Sequence, residues 1–286
     1  LSVKPIDGSG DFQFTRNSSA TRVNSQGLIE DMQTFSGDLV SNGDFSQEGS
    51  ELVTNGDFAT DSDWGKGTGW SISGGKAIQD GTGSGSSLDQ SNTLVVGKTY
   101  KITYEILEIT QGSIRVFAGY PNSNVPSNNT VGVHTHYIKA EGNTYLYLFP
   151  YNFIGSISNV SVKEVGQDWT LDAGWSIGDS KATKVSGSAG GIEQANIFAN
   201  GKKYKLNFTV SDVTSGGIII YSGQGSQNLG SVTSNGDKEF IFTSVGNQDK
   251  LLFEANSSFN GSITNVSVIE ITDDTNLPRI DYSPYS

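Results

Sequence analysis

The sequence has no cysteine, few prolines, few charged residues and no long apolar run. Without cysteine, neither disulfides nor thiolate metal sites can form. Charged residues make up 17% of the chain, below the quarter typical of soluble domains, and only 6 residues are proline. No apolar run approaches the roughly 20 residues that a membrane-spanning helix needs, so we expect no membrane insertion.

Positive charge is also scarce, and the formal net charge is −12 at pH 7. Such a chain repels a phosphate backbone and an anionic membrane surface, which excludes nucleic acid as an expected partner. The chain has no initiator Met and no apolar leader at residues 1–5, which indicates a processed or trimmed piece of a longer protein.

Glycine is abundant, with 36 residues, and 14 Phe and 11 Tyr supply bulky core material. In the segments 100–106 and 204–210, apolar residues alternate with polar ones, and no apolar pattern with a period of 3.6 residues persists. An alternation with period two is typical of antiparallel strands that bury one face. The sequence therefore predicts an all-β protein of short strands joined by tight polar turns.

An internal repeat indicates two related domains. G-K-T-Y-K-I-T-Y from Gly97 recurs as G-K-K-Y-K-L-N-F from Gly201, and F-I-G-S-I-S-N-V-S-V from Phe153 recurs as F-N-G-S-I-T-N-V-S-V from Phe259. The displacement of about 105 residues suits a whole sandwich domain and is too long for a solenoid unit. The same displacement relates Trp64 to Trp169, Lys76 to Lys181 and Gln90 to Gln194.

The repeat divides the chain into four parts. We expect an N-terminal β segment for docking or assembly over 1–50, one β-sandwich over 51–165, a second over 166–271, and an extended tail over 272–286. The expected architecture is two tandem jelly-roll β-sandwiches with a small N-terminal β segment. That segment is too small to bury a core alone, so we expect it to dock on another subunit or protein.

A shorter repeat duplicates the strand that opens the first sandwich. Residues 39–45 read L-V-S-N-G-D-F and residues 52–58 read L-V-T-N-G-D-F, whereas the second sandwich begins at Asp168 without such a strand. A sandwich lacking one strand exposes unpaired backbone groups. We therefore predict that residues 39–45 pair with the second sandwich, in cis or from a neighbouring subunit. The alternative is a remnant of duplication lying loosely on the surface.

The order L-V-T-N-G-D-F, G-W, G-K-T-Y-K-I and G-S-I-S-N-V-S-V resembles carbohydrate-binding modules of the family 4/9/22 group. The resemblance covers 51–165 well and 168–271 less completely. It implies jelly-roll sandwiches that bind glycans without catalysis.

The same resemblance implies a structural calcium near the opening and closing strands, with Asn55 and Asp57 as candidate ligands. On the closing side the family tends to place an acidic residue, whereas this chain has Asn159 and Asn265. We therefore favour the alternative that N-G-D is a turn, in which Asn and Gly tolerate positive φ, and we expect no cofactor.

The segments F-T-R-N-S-S-A-T-R-V-N-S-Q-G-L-I-E near the start and N-L-P-R-I-D-Y near the end resemble bacteriophage virion proteins, including tail-fibre and head-fibre components. This resemblance implies a virion surface location, with other virion proteins and copies of the chain as partners. We expect a non-enzymatic virion surface structural protein, a fibre or capsid-decoration component. The alternatives are a host-adhesion protein that binds surface glycans, and the accessory module of a secreted glycoside hydrolase.

Alternating aromatics mark the best candidate binding site. In Y-L-Y-L-F, the leucines are expected to face the core, so that the aromatic residues line the outer or concave face, where flat rings suit the CH-rich face of a pyranose. The second repeat has L-L-F-E there, which predicts a site on the first sandwich alone. Packing on a neighbouring domain or subunit is the alternative. The candidate carbohydrate-binding residues are Tyr145, Tyr147, Phe149, Arg115 and Phe117.

Catalytic motifs are missing, since the sequence has no hydrolase nucleophile elbow, no P-loop and no H-E-x-x-H. His134 and His136 share one strand face, but no third ligand can be predicted near them. We therefore interpret both histidines as exposed strand residues and expect no enzymatic activity.

Overall fold

Every regular element in the described part of the chain is a β-strand. The computed structural model describes residues 21–23, 29–31, 34–83, 85–120, 127–223, 227–246 and 249–272. Within these residues, no helix is long and apolar enough to cross a membrane. The predicted all-β fold of two sandwiches is confirmed, and each sandwich has its own hydrophobic core.

Three short strands come first in the described chain. The first two pair only with each other, in antiparallel register, and the third pairs with the last strand of the chain. They are β1 (Thr21–Val23), β2 (Ile29–Asp31) and β3 (Thr34–Phe35).

The first sandwich is one sheet that folds over into two layers. Its two longest strands bend near Gly112 and Asn152, where the pairing register shifts, so that each strand contributes to both layers. A Cβ on Gly112 would lie 2.2 Å from the Asn152 carbonyl oxygen, so this bend requires glycine. The strands are β4 (Glu48–Glu51), β5 (Gly65–Lys66), β6 (Trp70–Ser73), β7 (Lys76–Gln79), β8 (Leu88–Gln90), β9 (Thr99–Ala118), β10 (Ser127–Asn128), β11 (Gly132–Lys139) and β12 (Leu146–Val165).

The second sandwich repeats this plan with the long strands divided, so that its layers are two separate sheets. The strands are β13 (Thr170–Leu171), β14 (Trp175–Gly178), β15 (Lys181–Lys184), β16 (Gly190–Gln194), β17 (Lys203–Ser215), β18 (Ile218–Ser222), β19 (Gln227–Val232), β20 (Gly236–Thr243), β21 (Leu251–Ala255) and β22 (Asn260–Thr272). One sheet has the order β13-β16-β21-β18-β19, and the other has β14-β15-β22-β17-β20 with β3 added beside β22.

Residues 39–45 pair with the second sandwich of their own chain, so this prediction is confirmed in its cis form. The Leu39 N–H donates to the Val268 carbonyl over 2.8 Å, and the Val266 N–H donates to the Gly43 carbonyl over 2.9 Å. Phe45 is buried in the second core. The second sandwich therefore begins at β3, is interrupted by the whole first sandwich, and resumes after residue 165.

The two copies of the opening segment dock in the same way. In the first sandwich, the Leu52 N–H donates to Val162 over 3.0 Å and the Val160 N–H donates to Gly56 over 2.8 Å. Residues 52–58 thus complete the first sandwich, as the sequence repeat predicts.

A buried glutamine anchors each opening segment. The Gln194 Oε1 accepts from the Ser41 N–H at 2.8 Å, and its Nε2 donates to the Ser41 carbonyl at 2.9 Å. Gln90 binds the backbone of Thr54 with both amide atoms in the same manner. Both backbone groups of each anchored residue are thereby hydrogen-bonded, although the residue itself is exposed.

Residues 34–45 are therefore part of the second sandwich, whereas the sequence repeat assigned them to a separate docking segment. Residues 1–20 lie outside the described residues. Docking of the N-terminal segment on another subunit stays a prediction.

The two sandwiches touch through Tyr137 of β11, whose half-buried ring packs against the second core. A Cβ on Gly178 would lie 2.6 Å from Cγ of Tyr137, so glycine is needed for this close approach. A cavity of about 200 Å³ lies at the same junction, lined in part by Lys98, Glu164 and Trp169.

Candidate functional site

One layer of the first sandwich carries the predicted aromatic residues on its outer face. The layer is formed by β5, β8, the first half of β12, the last part of β9, and β10. Leu146 and Leu148 are completely buried in the core. The side chains between them therefore point to the opposite face, as the alternation predicts.

The rings on this face are packed closely against one another. Tyr145 and Tyr147 are stacked, with ring centroids 5.5 Å apart and an interplanar angle of 11°. Tyr120 and Phe149 are also stacked, with centroids 6.3 Å apart and an angle of 22°. We call this surface the aromatic face; it consists of Phe117, Tyr120, Tyr145, Tyr147, Phe149 and Tyr151.

Exposure differs across the aromatic face. Tyr120 is 55% exposed and Tyr151 is 49% exposed, so neither the second sandwich nor a described loop covers them. Phe117 is only 8% exposed, with Phe149 packed edge-on at 5.4 Å and Tyr120 at 6.0 Å. Phe117 therefore supports the rings around it, which corrects its expected role as a residue that contacts the ligand.

Two members of this face were missed by the sequence analysis. Tyr151 continues the alternation of residues 145, 147 and 149 and could have been found from it. Tyr120 follows the end of β9, where the alternation stops, so that no periodic signal marks it.

An asparagine holds two of the rings. The Asn143 Nδ2 donates to the hydroxyl of Tyr147 over 3.2 Å, while its Oδ1 accepts from the Tyr145 N–H over 3.1 Å. Rings fixed before a ligand arrives lose less conformational entropy on binding.

A carboxylate borders the aromatic face on one side. Asp89 of β8 lies directly opposite Tyr147 on the neighbouring strand, and the Ser87 hydroxyl donates to it over 3.2 Å. Burial raises the pKa of Asp89, because it disfavours the charged form. A Cβ on Gly65 would lie 2.8 Å from Asp89 Oδ2, so the glycine leaves room for this side chain.

A guanidinium borders the face on the other side. Arg115 lies opposite Phe149 in one direction and Ser127 in the other. Its Cζ is 4.4 Å from the centroid of the Tyr151 ring, a cation–π contact. The buried Nε of Arg115 has no hydrogen-bond partner among the described residues.

The corresponding face of the second sandwich has a different character. Leu252 and Glu254 occupy the places of Tyr147 and Phe149, and Ile219 replaces Arg115. At these strand positions the second sandwich keeps one aromatic residue, Tyr221, which pairs with Leu252. Stacked aromatic rings are therefore present on the first sandwich and not at the equivalent strand positions of the second, as the sequence comparison predicts.

The two histidines lie elsewhere and are not the exposed strand residues that we expected. Both are half-buried against Tyr104, with ring centroids 5.6 Å and 6.1 Å from it. The His136 Nε2 is 2.8 Å from Asn128 Nδ2, and the His134 Nε2 lies 2.7 Å from the Thr130 carbonyl oxygen. Burial lowers the pKa of His136. Tyr104 of the adjacent strand β9, which pairs with β11, accounts for this burial.

The candidate calcium ligands lie in the N-G-D turn. Asn55 has a φ of 54°, and its Nδ2 donates to the carbonyls of Thr60 and Ser62 at 2.8 and 3.0 Å. Asp57 Oδ1 accepts from the Ala59 N–H at 3.2 Å. Within the described residues, no group of three or more His, Asp or Glu residues could hold a metal ion. The contacts of Asn55 are those of a turn residue.

No protein-family model matches the chain, and no curated protein matches it. Similar solved structures include the tandem CBM22 domains of Xyn10C from Paenibacillus barcinonensis, at 10% identity and a TM-score of 0.32, covering 79% of this chain and 99% of that one. A serum fucolectin from striped bass, Morone saxatilis, has 9% identity and a TM-score of 0.27, with 70% and 85% covered.

A third similar structure comprises the tandem CBM51 modules of a family 98 glycoside hydrolase from Streptococcus pneumoniae, at 8% identity and a TM-score of 0.24, with 93% and 94% covered. At such identities and scores, the likeness is too remote to carry an argument about function.

Proposed function

We propose that this chain binds glycans without catalysis, through the aromatic face of its first sandwich. The observation that carries the proposal is the two stacked pairs of rings, Tyr145 on Tyr147 and Tyr120 on Phe149, on an uncovered sheet face. Such rings offer flat apolar area to the CH-rich face of a pyranose. A few polar groups around an apolar surface are typical of small-ligand sites, where they fix the orientation of the ligand.

Polar groups at both borders support the proposal. The carboxylate of Asp89 can accept hydrogen bonds from sugar hydroxyls, and the raised pKa indicates that water solvates it incompletely. On the other side, the Arg115 guanidinium supplies only donors. A sugar lying across the rings therefore meets an acceptor at one border and a donor at the other.

Binding on a glycan array tests the proposal with the whole chain. Tyr147→Ala should abolish glycan retention, while Tyr221→Ala, on the corresponding face of the second sandwich, should leave it unchanged. Circular dichroism melting of both variants separates lost binding from lost folding. Retention by Tyr147→Ala equal to that of the unmodified chain would show that the rings are not the binding surface.

The setting in which the chain would bind glycans is a further proposal. A host-adhesion protein accounts for the aromatic face, whereas a purely structural virion component gives the face no role. A virion surface location is supported by the sequence segments 14–30 and 276–282, which lie mostly or wholly outside the described residues. Labelled antibodies against the chain, imaged on purified particles, distinguish a virion component from a secreted protein.

A further inference from the structure

Among the described residues, Arg115 differs from most of the lysines in what it contacts. In the part of the chain that the structure describes, nine lysines form ion pairs with aspartate or glutamate side chains. Within the described residues, Arg115 has no carboxylate partner, and its contact is the Tyr151 ring. In a chain with 30 acidic and 18 basic residues, a partly buried guanidinium without an acidic partner stands out.

The surroundings of Arg115 suit an anion. Its strand neighbour Ser127 donates from its hydroxyl to the Ser113 hydroxyl over 2.6 Å, so both hydroxyls belong to strand positions next to Arg115. Asp89 is separated from Arg115 by the width of β12 and two residues of strand length, about 12 Å by standard sheet spacings. The causes that shift the pKa of Asp89 are burial and the Ser87 hydroxyl, and Arg115 is not among them, so the two groups interact only weakly.

We propose that the glycan bound by the aromatic face carries an isolated anionic group, a carboxylate or a sulfate ester, and that Arg115 binds this group. The inference rests on the proposed glycan binding. The planar guanidinium matches a carboxylate or sulfate with the parallel N–H donors of its two terminal nitrogens. The Tyr151 ring packs against the face of the guanidinium and helps to fix its orientation.

The net charge of the chain restricts the anion further. At −12, the protein repels a densely charged polymer, while screening confines the attraction of Arg115 to its immediate neighbourhood. A glycan with one charge per repeating unit fits these conditions. A polymer with several charges per disaccharide does not.

The experiment is a glycan array with four classes of ligand: neutral, uronate-bearing, singly sulfated, and heavily sulfated such as heparin. Carboxyl-reduced and desulfated forms of the retained glycans identify which anionic group is recognised. We expect the retained glycans to carry isolated anionic groups, and we expect their neutralised forms to bind roughly 10- to 100-fold more weakly.

Arg115→Gln should produce the same loss for the anionic glycans and should weaken the neutralised forms much less, because the Gln amide still donates to a sugar hydroxyl. Arg115→Lys keeps the charge but not the paired donors, and should bind at an intermediate level. If Arg115→Gln unfolds, a competition assay with the unmodified chain replaces it. Free glucuronate should then displace the retained glycan more strongly than free glucose does.

Preferential retention of neutral glycans, unchanged affinity of Arg115→Gln, or strong retention of heparin would overturn the anionic-group inference and leave the proposed glycan binding intact. Retention of no glycan of any class by the unmodified chain would overturn the proposed function itself, and this inference with it.

Discussion

The indole Nε1 of Trp169 donates a hydrogen bond to the carbonyl oxygen of Asn42 over 3.1 Å, although 127 positions separate them in sequence. Trp64 makes the same bond to Asn55 over 3.0 Å, only 9 positions away. The first sandwich thus contains its own opening strand, while the second obtains the same contacts from residues that precede the first.

Gly43→Ala tests this nested arrangement. A Cβ at residue 43 would lie 1.9 Å from the Val266 carbonyl oxygen, so the opening strand must shift away from β22. We expect a loss of about 1–3 kcal/mol in the stability of the second sandwich. Hydrogen exchange should show faster exchange at Val266 and Val268 while the amide protons of Val160 and Val162 stay protected.

The matched variant is Gly56→Ala, whose Cβ would lie 2.0 Å from the Val160 carbonyl oxygen. Gly56→Ala should give the opposite result: faster exchange at Val160 and Val162, while the amide protons of Val266 and Val268 stay protected. Equal effects of both variants on both sandwiches would contradict the assignment of one opening strand to each.

Lys184 provides a second test, because its side chain is fully buried without an acidic partner among the described residues. Its Nζ donates to the carbonyls of Val185 and Ser188 at 2.7 and 2.8 Å, and burial lowers its pKa. Lys184→Met should cost about 1–3 kcal/mol in urea unfolding, because it leaves both carbonyls unpaired.

Lys184→Gln should cost less than Lys184→Met. Gln79 occupies the equivalent position in the first sandwich, where its amide donates to the Thr68 carbonyl over 3.2 Å. A methionine variant as stable as the glutamine variant would show that the two carbonyls at Lys184 find other partners.

Asp89→Asn should raise the stability of the chain at neutral pH. The folded-state pKa of Asp89 is raised, so its stabilising contribution is fully present below the unfolded pKa of about 4 and is lost as pH rises through the folded value. The difference in urea midpoint between Asp89→Asn and the unmodified chain should therefore grow between pH 3 and pH 7. A difference that stays constant over this range would contradict the raised pKa.

His136 should make stability depend on pH near neutrality. Its folded pKa is lowered by burial, so its contribution is present above the unfolded pKa of about 6.5 and is lost as pH falls towards the folded value. The urea midpoint of the unmodified chain should decrease between pH 7.5 and pH 5, and His136→Gln should decrease less. Parallel curves for the two proteins would exclude His136 as the cause.

The repeat and the alternation were sufficient to predict the two sandwiches, the buried leucines beside Tyr147 and the pairing of residues 39–45. Asp89 could not be found in this way. It reaches Tyr147 because β8 pairs with β12 in one particular register, and a slip of one residue would place it in the core. Single-sequence patterns indicate which face a residue occupies within its strand, but not which residues of another strand lie beside it.

The burial of His134 and His136 shows the same limit. Alternation places both on one face of β11, and β9 pairs with that strand so that Tyr104 lies against them. The equivalent strand of the second sandwich has Phe240 stacked on Phe208 at 6.0 Å. A comparison of the two repeats at this position would have predicted half-buried rings.

The insertion of one sandwich into the other affects how the chain is made. Residues 39–45 leave the ribosome first, but their partners on β22 follow more than 200 residues later, a delay on the order of 10–45 s at ordinary synthesis rates. Meanwhile the first sandwich can fold, and the pairing of β4 with the end of β12 brings its two ends together. The folded first sandwich then acts as a short connection rather than a long flexible loop, so closing the second sandwich loses less chain entropy.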